Sequence, residues 1–209
     1  MADIQSVPGK KFFQDSGNRR FVNLTGRCNL NCQFCPEPMD RTASGDNTLL
    51  GAEPGLKEIL LGVCGNCSGR EIHFSGLGEQ TYRLYDILCA GRYLRRNGAR
   101  VVLNTNGLAD RIHNRPVAPD LEDNVDCVNV SLPAINAKDY ERICRPGIDN
   151  AFESVINFIE DMRHYVSEIN LAVPAGQPEV DVKGVQDLAR KLEIGFQQRK
   201  YHPVFQSCS

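Results

Sequence analysis

Three cysteines, Cys28, Cys32 and Cys35, fall in the stretch TGRCNLNCQFCP (25–36), among small and polar residues. Thiolates are soft ligands that suit zinc or an iron–sulfur cluster, and either centre usually takes four ligands. Three ligands on one short loop would leave one iron of a four-iron cluster open to a substrate or cofactor, much as a catalytic zinc keeps an open position. The rival readings are a zinc site completed by a distant His or Cys, and a chance grouping of buried thiols. The CxxC…CxxC spacing usual for zinc is absent here.

These residues need elements to position them. The cysteines follow the β-type run FVNLT (21–25). Further such runs are REIHFS (70–75), ARVVLNT (99–105), DCVNVSL (126–132), EINLAV (168–173) and GFQQRKY (195–201). Helical spacing links Leu56, Ile59, Leu60 and Val63, then Tyr82, Tyr85, Leu88, Cys89 and Tyr93. It recurs at Phe152, Val155, Ile156 and Ile159, and at Val185, Leu188 and Leu192. Residues 107–124, with Pro116 and Pro119, read as a loop with a short helix at best, and 36–54 as a long loop.

Strands alternating with helices predict βαβ units and a mostly parallel α/β sheet. Six units are too few for the eight of a full barrel, so the expected fold is a partial (β/α)6 TIM-like barrel, open at one side. Ligands of such folds gather at the C-terminal ends of the strands. There the sequence carries the three cysteines, GLGE (Gly76–Glu79), NTNG (Asn104–Gly107), Asn129 and Ser131. One site built from several loops is the expectation. No internal repeat or interdomain linker is visible, and residues 1–209 read as a single domain with a core over about 20–203 and short extensions at either end.

Composition narrows the function classes. A formal net charge of −2 over 209 residues gives no overall indication of nucleic acid or a membrane surface as partner. No apolar run is long enough for a membrane span, and the first residues, MADIQSVPGKKFFQDSG, lack the apolar core of a signal peptide. A cytoplasmic location follows as an expectation. The nine cysteines would then be reduced thiols or metal ligands rather than disulfides.

With these residues in view, the chain resembles the radical S-adenosylmethionine (radical SAM) superfamily over about residues 20–203. The resemblance rests on Cys28-x3-Cys32-x2-Cys35 with Phe34 before the last cysteine, on GLGE, which looks like the family's GGE-type motif, and on the order of strands and helices. Within the superfamily, FVNLTGRCNLNCQFC, VVLNTNGLADRIHNR and VNVSLPAINAKDYERICRPG look closest to the short TatD-associated radical SAM proteins.

The resemblance implies an enzyme with a [4Fe-4S] cluster on Cys28, Cys32 and Cys35, whose fourth iron binds the methionine amino and carboxylate groups of S-adenosylmethionine (SAM). It implies that Phe34 packs by the adenine. The Gly76–Gly78 backbone and the Glu79 carboxylate would meet the methionine ammonium. Asn104, Thr105 and Ser131 would lie near the ribose or carboxylate, and Arg145 would pair with the SAM carboxylate. The implied reaction is reductive cleavage of SAM to methionine and a 5′-deoxyadenosyl radical that abstracts hydrogen from a substrate. Its partners would be an electron donor such as flavodoxin or ferredoxin and a substrate, small molecule or macromolecule. A radical-generating activase for a partner protein and a non-catalytic iron–sulfur or zinc protein are the alternatives.

Each assignment has a plainer rival. Glu79 would suit the N-terminus of the helix that follows it, Asn104 and Asn106 would suit a turn before Gly107, and Ser131 would suit a buried hydroxyl bonded to backbone. Arg145 would suit a surface ion pair, and Phe34 loop packing. Leu77 stands where the family has glycine, which predicts a slightly different backbone at that turn. Cys64 and Cys67 form a second CxxC, more readily two ordinary thiols than an auxiliary cluster. Cys89 and Cys127 read as core residues, and His73 as a core or barrel-lining histidine. Asn129, Asn170, Gln198 and Lys200 form one candidate substrate-facing set, with Gln197, Arg199 and Tyr201 on the other face.

Overall fold

The computed structural model describes residues 12–35, 53–63 and 67–199. Most of the expected 36–54 loop, together with Cys64, Lys200, Tyr201, His202 and Cys208, lies outside the described residues. One sheet contains seven strands in sequential order: β1 (Phe13–Ser16), β2 (Arg19–Val22), β3 (Glu71–Phe74), β4 (Arg100–Thr105), β5 (Cys127–Ser131), β6 (Glu168–Pro174) and β7 (Gly195–Arg199). β2 to β7 run parallel and correspond to the six β-type runs. β1 was not expected. It pairs antiparallel with β2 across Gly17-Asn18, a two-residue connection whose glycine takes a left-handed φ of 60°.

Among the described residues seven helices accompany the strands: α1 (Leu56–Val63), α2 (Leu84–Arg96), α3 (Ala109–His113), α4 (Ala118–Leu121), α5 (Ala137–Cys144), α6 (Ala151–Met162) and α7 (Val182–Lys191). A 3-10 turn over Gln80–Arg83 leads into α2. The four expected helices are α1, α2, α6 and α7. The segment 107–124 holds two short helices rather than one. α5 is an addition, and Asn136 caps it by accepting from the Asp139 N–H at 2.9 Å.

Parallel strands that are neighbours both in sequence and in space need crossovers of one hand, which puts the helices on one face. Val22, Phe74, Leu103, Val128 and Leu171 accordingly meet Ile59, Ile87, Val155, Phe158 and Val185 in one core. The opposite face is polar. Flat, it would set β2 and β7 about 24 Å apart at 4.8 Å per strand. Yet Arg199 on β7 lies within electrostatic reach of Arg19 on β2 and His73 on β3. The sheet therefore curls round its polar face. β1 and β7 are its edges, so among the described residues it is a partial barrel rather than a closed one.

Register decides which residues line the hollow. Asn104, Asn129, Asn170 and Gly195 are successive partners across β4 to β7. Gln197 and Arg199 therefore share the face of Asn129 and Asn170, while Gln198 pairs with Val173 and is exposed on the helix side. The expected grouping of Gln198 with Asn129 and Asn170 is thus corrected. Cys127 is also corrected: it is buried, but in the polar hollow and not in the apolar core. Its thiol donates to Glu168 at 3.4 Å and accepts from the Asn170 amide at 3.4 Å. His73 lines the hollow, with its Nε2 3.2 Å from Glu71 and its ring against Phe21.

Candidate functional site

The three cysteines follow β2 in a loop with no helix or strand of its own, so other elements must hold it. α5 docks on it from one side. The Asn31 N–H donates to the Cys144 carbonyl and the Gln33 N–H to the Ile143 carbonyl, each at 2.9 Å. These carbonyls at the end of α5 have no partner inside the helix, and the loop satisfies them. Cys32 sits between the two donors.

The GLGE turn holds the loop from another side. Gly78 has a φ of 87°, and a Cβ there would meet the backbone of Gly26 and Arg27. The Glu79 N–H donates to the Arg27 carbonyl at 2.7 Å. Leu77 is not among the residues with positive φ. The turn places its left-handed residue at Gly78, so the leucine sits there without strain.

Glu79 is 2% exposed and gathers both neighbouring turns. Its Oε1 accepts from the Thr81 N–H at 3.0 Å, the Thr81 hydroxyl at 2.7 Å and the Thr105 hydroxyl at 2.8 Å. Its Oε2 accepts from the Asn106 N–H at 2.6 Å. Burial pushes the carboxyl up from its ordinary range, against the pull of these donors. The capping role is therefore present, and Oε2, with one of the four hydrogen bonds, is the oxygen with room for a further donor.

Asn104 and Thr105 face opposite ways, as adjacent strand residues must. Thr105 turns to Glu79. Asn104 joins a row on the hollow face, in which its Oδ1 accepts from the Asn129 amide at 3.1 Å and Asn129 Oδ1 accepts from the Asn170 amide at 3.0 Å. Asn106 ties the NTNG turn to the cysteine loop: its amide donates to Asn29 Oδ1 at 2.7 Å. Ser131 ends β5 on the hollow side, part-exposed. Phe34 is half-buried against the core.

Arg145 is the C-cap of α5 and takes a left-handed φ of 47° at a position where glycine is usual. It is exposed and makes no ion pair among the described residues, so the surface pairing considered for it is not seen there. The backbone strain of a non-glycine residue at this φ is a feature of functional sites.

Sequence reasoning missed three residues here. Gln80 is 1% exposed and fastens the start of the loop: it accepts from the Leu24 N–H at 2.8 Å, and its amide donates to Thr25 O and Asn23 Oδ1, each at 3.3 Å. Glu53 receives the Thr25 hydroxyl and ion-pairs with Arg27 at 3.0 Å and Arg83 at 3.1 Å. Tyr140 on α5 is the third. The pattern Asn136-x-x-Asp139 was the available signal for its helix.

Whether these residues fit a cluster and SAM turns on the donor set. Burial raises the Cys28 thiol to about 12, with Cys32, Cys35 and Glu79 all acting on it, so the thiols share one locality. As a free thiol Cys28 holds its proton; iron displaces it on binding. Among the described residues no three Cys, His, Asp or Glu side chains converge on one metal ion. A cubane cluster spreads its ligands over separate irons, so convergence on a point is not what it requires. Two buried polar atoms at this site have no partner among the described residues: Asn23 Nδ2 beside Gly76, and the Tyr140 hydroxyl. Buried groups of this kind are otherwise rare. The donor chemistry and the unmatched polar atoms fit a polar, thiolate-held group in this place.

Comparison with known proteins identifies the family. Residues 22–192 match the model of the Radical SAM superfamily. The GTP 3′,8-cyclase of Corynebacterium glutamicum is 33% identical over 168 residues, 77% of this chain and 43% of that protein. Molybdenum cofactor biosynthesis protein 1 of Dictyostelium discoideum is 24% identical over 216 residues, 96% of this chain and 32% of that protein. The chain thus spans less than half the length of these curated relatives. The structure of TYW1 with a lysine–pyruvate adduct bound matches with a TM-score of 0.59 and 16% identity over 94% of this chain and 70% of its own. Archaeal TYW1 matches with a TM-score of 0.57 and 13% identity over 91% of this chain and 68% of its own. At these identities the likeness to TYW1 is one of fold. The chain belongs to the radical SAM superfamily, whose enzymes use a [4Fe-4S] cluster and SAM.

Proposed function

We propose that this member of the radical SAM superfamily cleaves SAM reductively, holding its cluster on Cys28, Cys32 and Cys35, and acts on a substrate seated in the polar hollow. The observation that carries the reading is the docking of the three-cysteine loop among α5, the GLGE turn and the NTNG turn, beside buried polar atoms that lack partners. When bound, the cluster supplies an electron to SAM, which breaks into methionine and a 5′-deoxyadenosyl radical that abstracts hydrogen.

The chain's own residues bind and orient. The Gly76–Gly78 backbone, packed against the loop, and Glu79 Oε2 take the methionine ammonium. Ser131 and Arg145 face the carboxylate or ribose, and Phe34 covers the adenine. Asn104 and Thr105 shape the ground on which SAM lies, one from the hollow and one from beneath. The Asn104–Asn129–Asn170 row, with Gln197 and Arg199, presents donors and acceptors to a polar substrate. The open edge between β1 and β7 leaves access for a small molecule or a macromolecule. A reductant such as flavodoxin or ferredoxin supplies the electron, in keeping with a cytoplasmic protein. No helix among the described residues is long and apolar enough to cross a membrane.

The finer grouping with TatD-associated radical SAM proteins is supported by the three stretches that carry its motifs. GTP is the substrate in the name of one relative, of which this chain matches 43%. The test is anaerobic reconstitution with iron and sulfide, then reduction with SAM present. Wild-type protein is expected to form 5′-deoxyadenosine. Cys32→Ala should abolish both cluster and product, and product formation by that variant would sink the assignment.

A further inference from the structure

We propose that α5 presents two hydrogen-bond donors, the Tyr140 hydroxyl and the Cys144 thiol, to the thiolate edge of the cluster, and that they set its reduction potential. The inference rests on the cluster assignment of Cys28, Cys32 and Cys35 made above.

Tyr140 and Cys144 are four residues apart, so they share one face of α5. That face is turned to the cysteine loop, as the bonds from Asn31 and Gln33 to the last carbonyls of the helix show. Both side chains are essentially sealed from solvent, at 0% and 1% exposure. Cys144 lies against Cys32: the Asn31 and Gln33 N–H groups on either side of Cys32 bond the Cys144 and Ile143 carbonyls, and the two thiols act on each other electrostatically. The Tyr140 hydroxyl is within electrostatic reach of Cys144, Cys32, Glu79 and Cys28, and it has no hydrogen-bond partner among the described residues. Its ring is held against Phe152 of α6, with centroids 6.0 Å apart, so the hydroxyl is aimed rather than loose.

A buried hydroxyl without a partner is costly. Fold stability gives no reason for it, since phenylalanine would fill the same space without the penalty. A sulfur-bound group at the loop gives one. Thiolates and cluster sulfides accept hydrogen bonds, and donors near them favour the more negative, reduced state of the cluster. Cys144 would act likewise through Cys32. Neither residue is a ligand in this scheme. They are positioning residues that act on the cluster through its sulfurs.

The test uses reconstituted full-length protein and a redox titration followed by electron paramagnetic resonance. Tyr140→Phe should still load the cluster, while its reduction equilibrium moves against the reduced form by about tenfold, or about 59 mV for one electron. The Tyr140→Phe apoprotein should melt no lower than wild type, because the lost hydroxyl had no partner. Cys144→Ala should move the potential in the same direction and keep its iron. An unchanged potential in Tyr140→Phe would overturn the inference while the cluster assignment stands. Iron loss in Cys144→Ala would also overturn it, by making Cys144 a ligand. A wild-type chain that takes up no four-iron cluster would overturn the cluster assignment and this inference together.

Discussion

Glu79 shows how one side chain can belong to two readings. As a sequence letter it was either a ligand for the SAM ammonium or a helix cap. The structure has it capping the 3-10 turn and holding Thr105 and Asn106 as well. Glu79→Ala would strand four donors in a buried place and should cost about 2–4 kcal/mol. Urea denaturation of the apoprotein measures that loss. The second CxxC is settled by a count. Cys67 is buried and its thiol is directed at the Asn97 carbonyl at 3.9 Å, as an ordinary structural cysteine would be. Changing both Cys64 and Cys67 to Ala should leave about four irons per reconstituted chain. A loss of four would reveal an auxiliary cluster.

At the scale of elements, the strands were legible because buried parallel strands are short apolar runs between turn residues. β3 to β6 fall on such runs; β7 is largely polar, and β2 (Arg19–Val22) begins two residues before FVNLT and shares only Phe21 and Val22 with it. β1 was not legible: Phe13–Ser16 is half polar and becomes a strand only by pairing with β2. Its attachment is electrostatic at the tip. Asp15 accepts from Arg20 at 2.6 Å and Arg70 at 2.5 Å, and Arg20 above all holds its carboxyl down at about 2. A depressed carboxylate stabilises the fold above its ordinary value and ceases to as pH falls through the lowered one. The contribution should therefore be whole above about pH 4 and vanish toward about pH 2. Because Asp15 is half exposed, it should stay under about 1 kcal/mol. Asp15→Asn should flatten that part of the pH–stability curve, and urea midpoints at about pH 6 and about pH 2.5 would show whether it does. α5 was not expected for another reason: it is eight residues long and half charged, with only Tyr140, Ile143 and Cys144 buried.

For the whole molecule, curling of the sheet turns a polar face into a lined hollow. The lower part of that hollow is an ionic web in which Glu71 meets Arg19 at 2.9 Å and Arg100 at 3.6 Å, and Arg100 meets Glu168 at 2.5 Å. The amide row stands above it. Asn129→Ala would leave Asn104 Oδ1 without its donor, while the Asn170 amide keeps Glu168 and Cys127, and should cost about 1–3 kcal/mol. A thermal melt of the variant reads this directly. If the row also meets substrate, the variant should still cleave SAM in the absence of substrate, since no residue of the cysteine loop is touched.

The sequence by itself determined the sulfur chemistry, the six parallel strands and the strand ends on which the site is built. Those features are local: ligand spacing, runs of apolar residues and glycines are written in adjacent positions. Only the tertiary structure decided that Gln197 and not Gln198 shares the hollow with Asn170, because a one-residue change of register inverts every side chain of a strand. It alone decided that Leu77 is unstrained, because Gly78 carries the left-handed turn. And it alone brought Tyr140 and Cys144 beside Cys32, more than a hundred residues away in the chain, because that contact is made by a docked helix end and leaves no mark on local sequence.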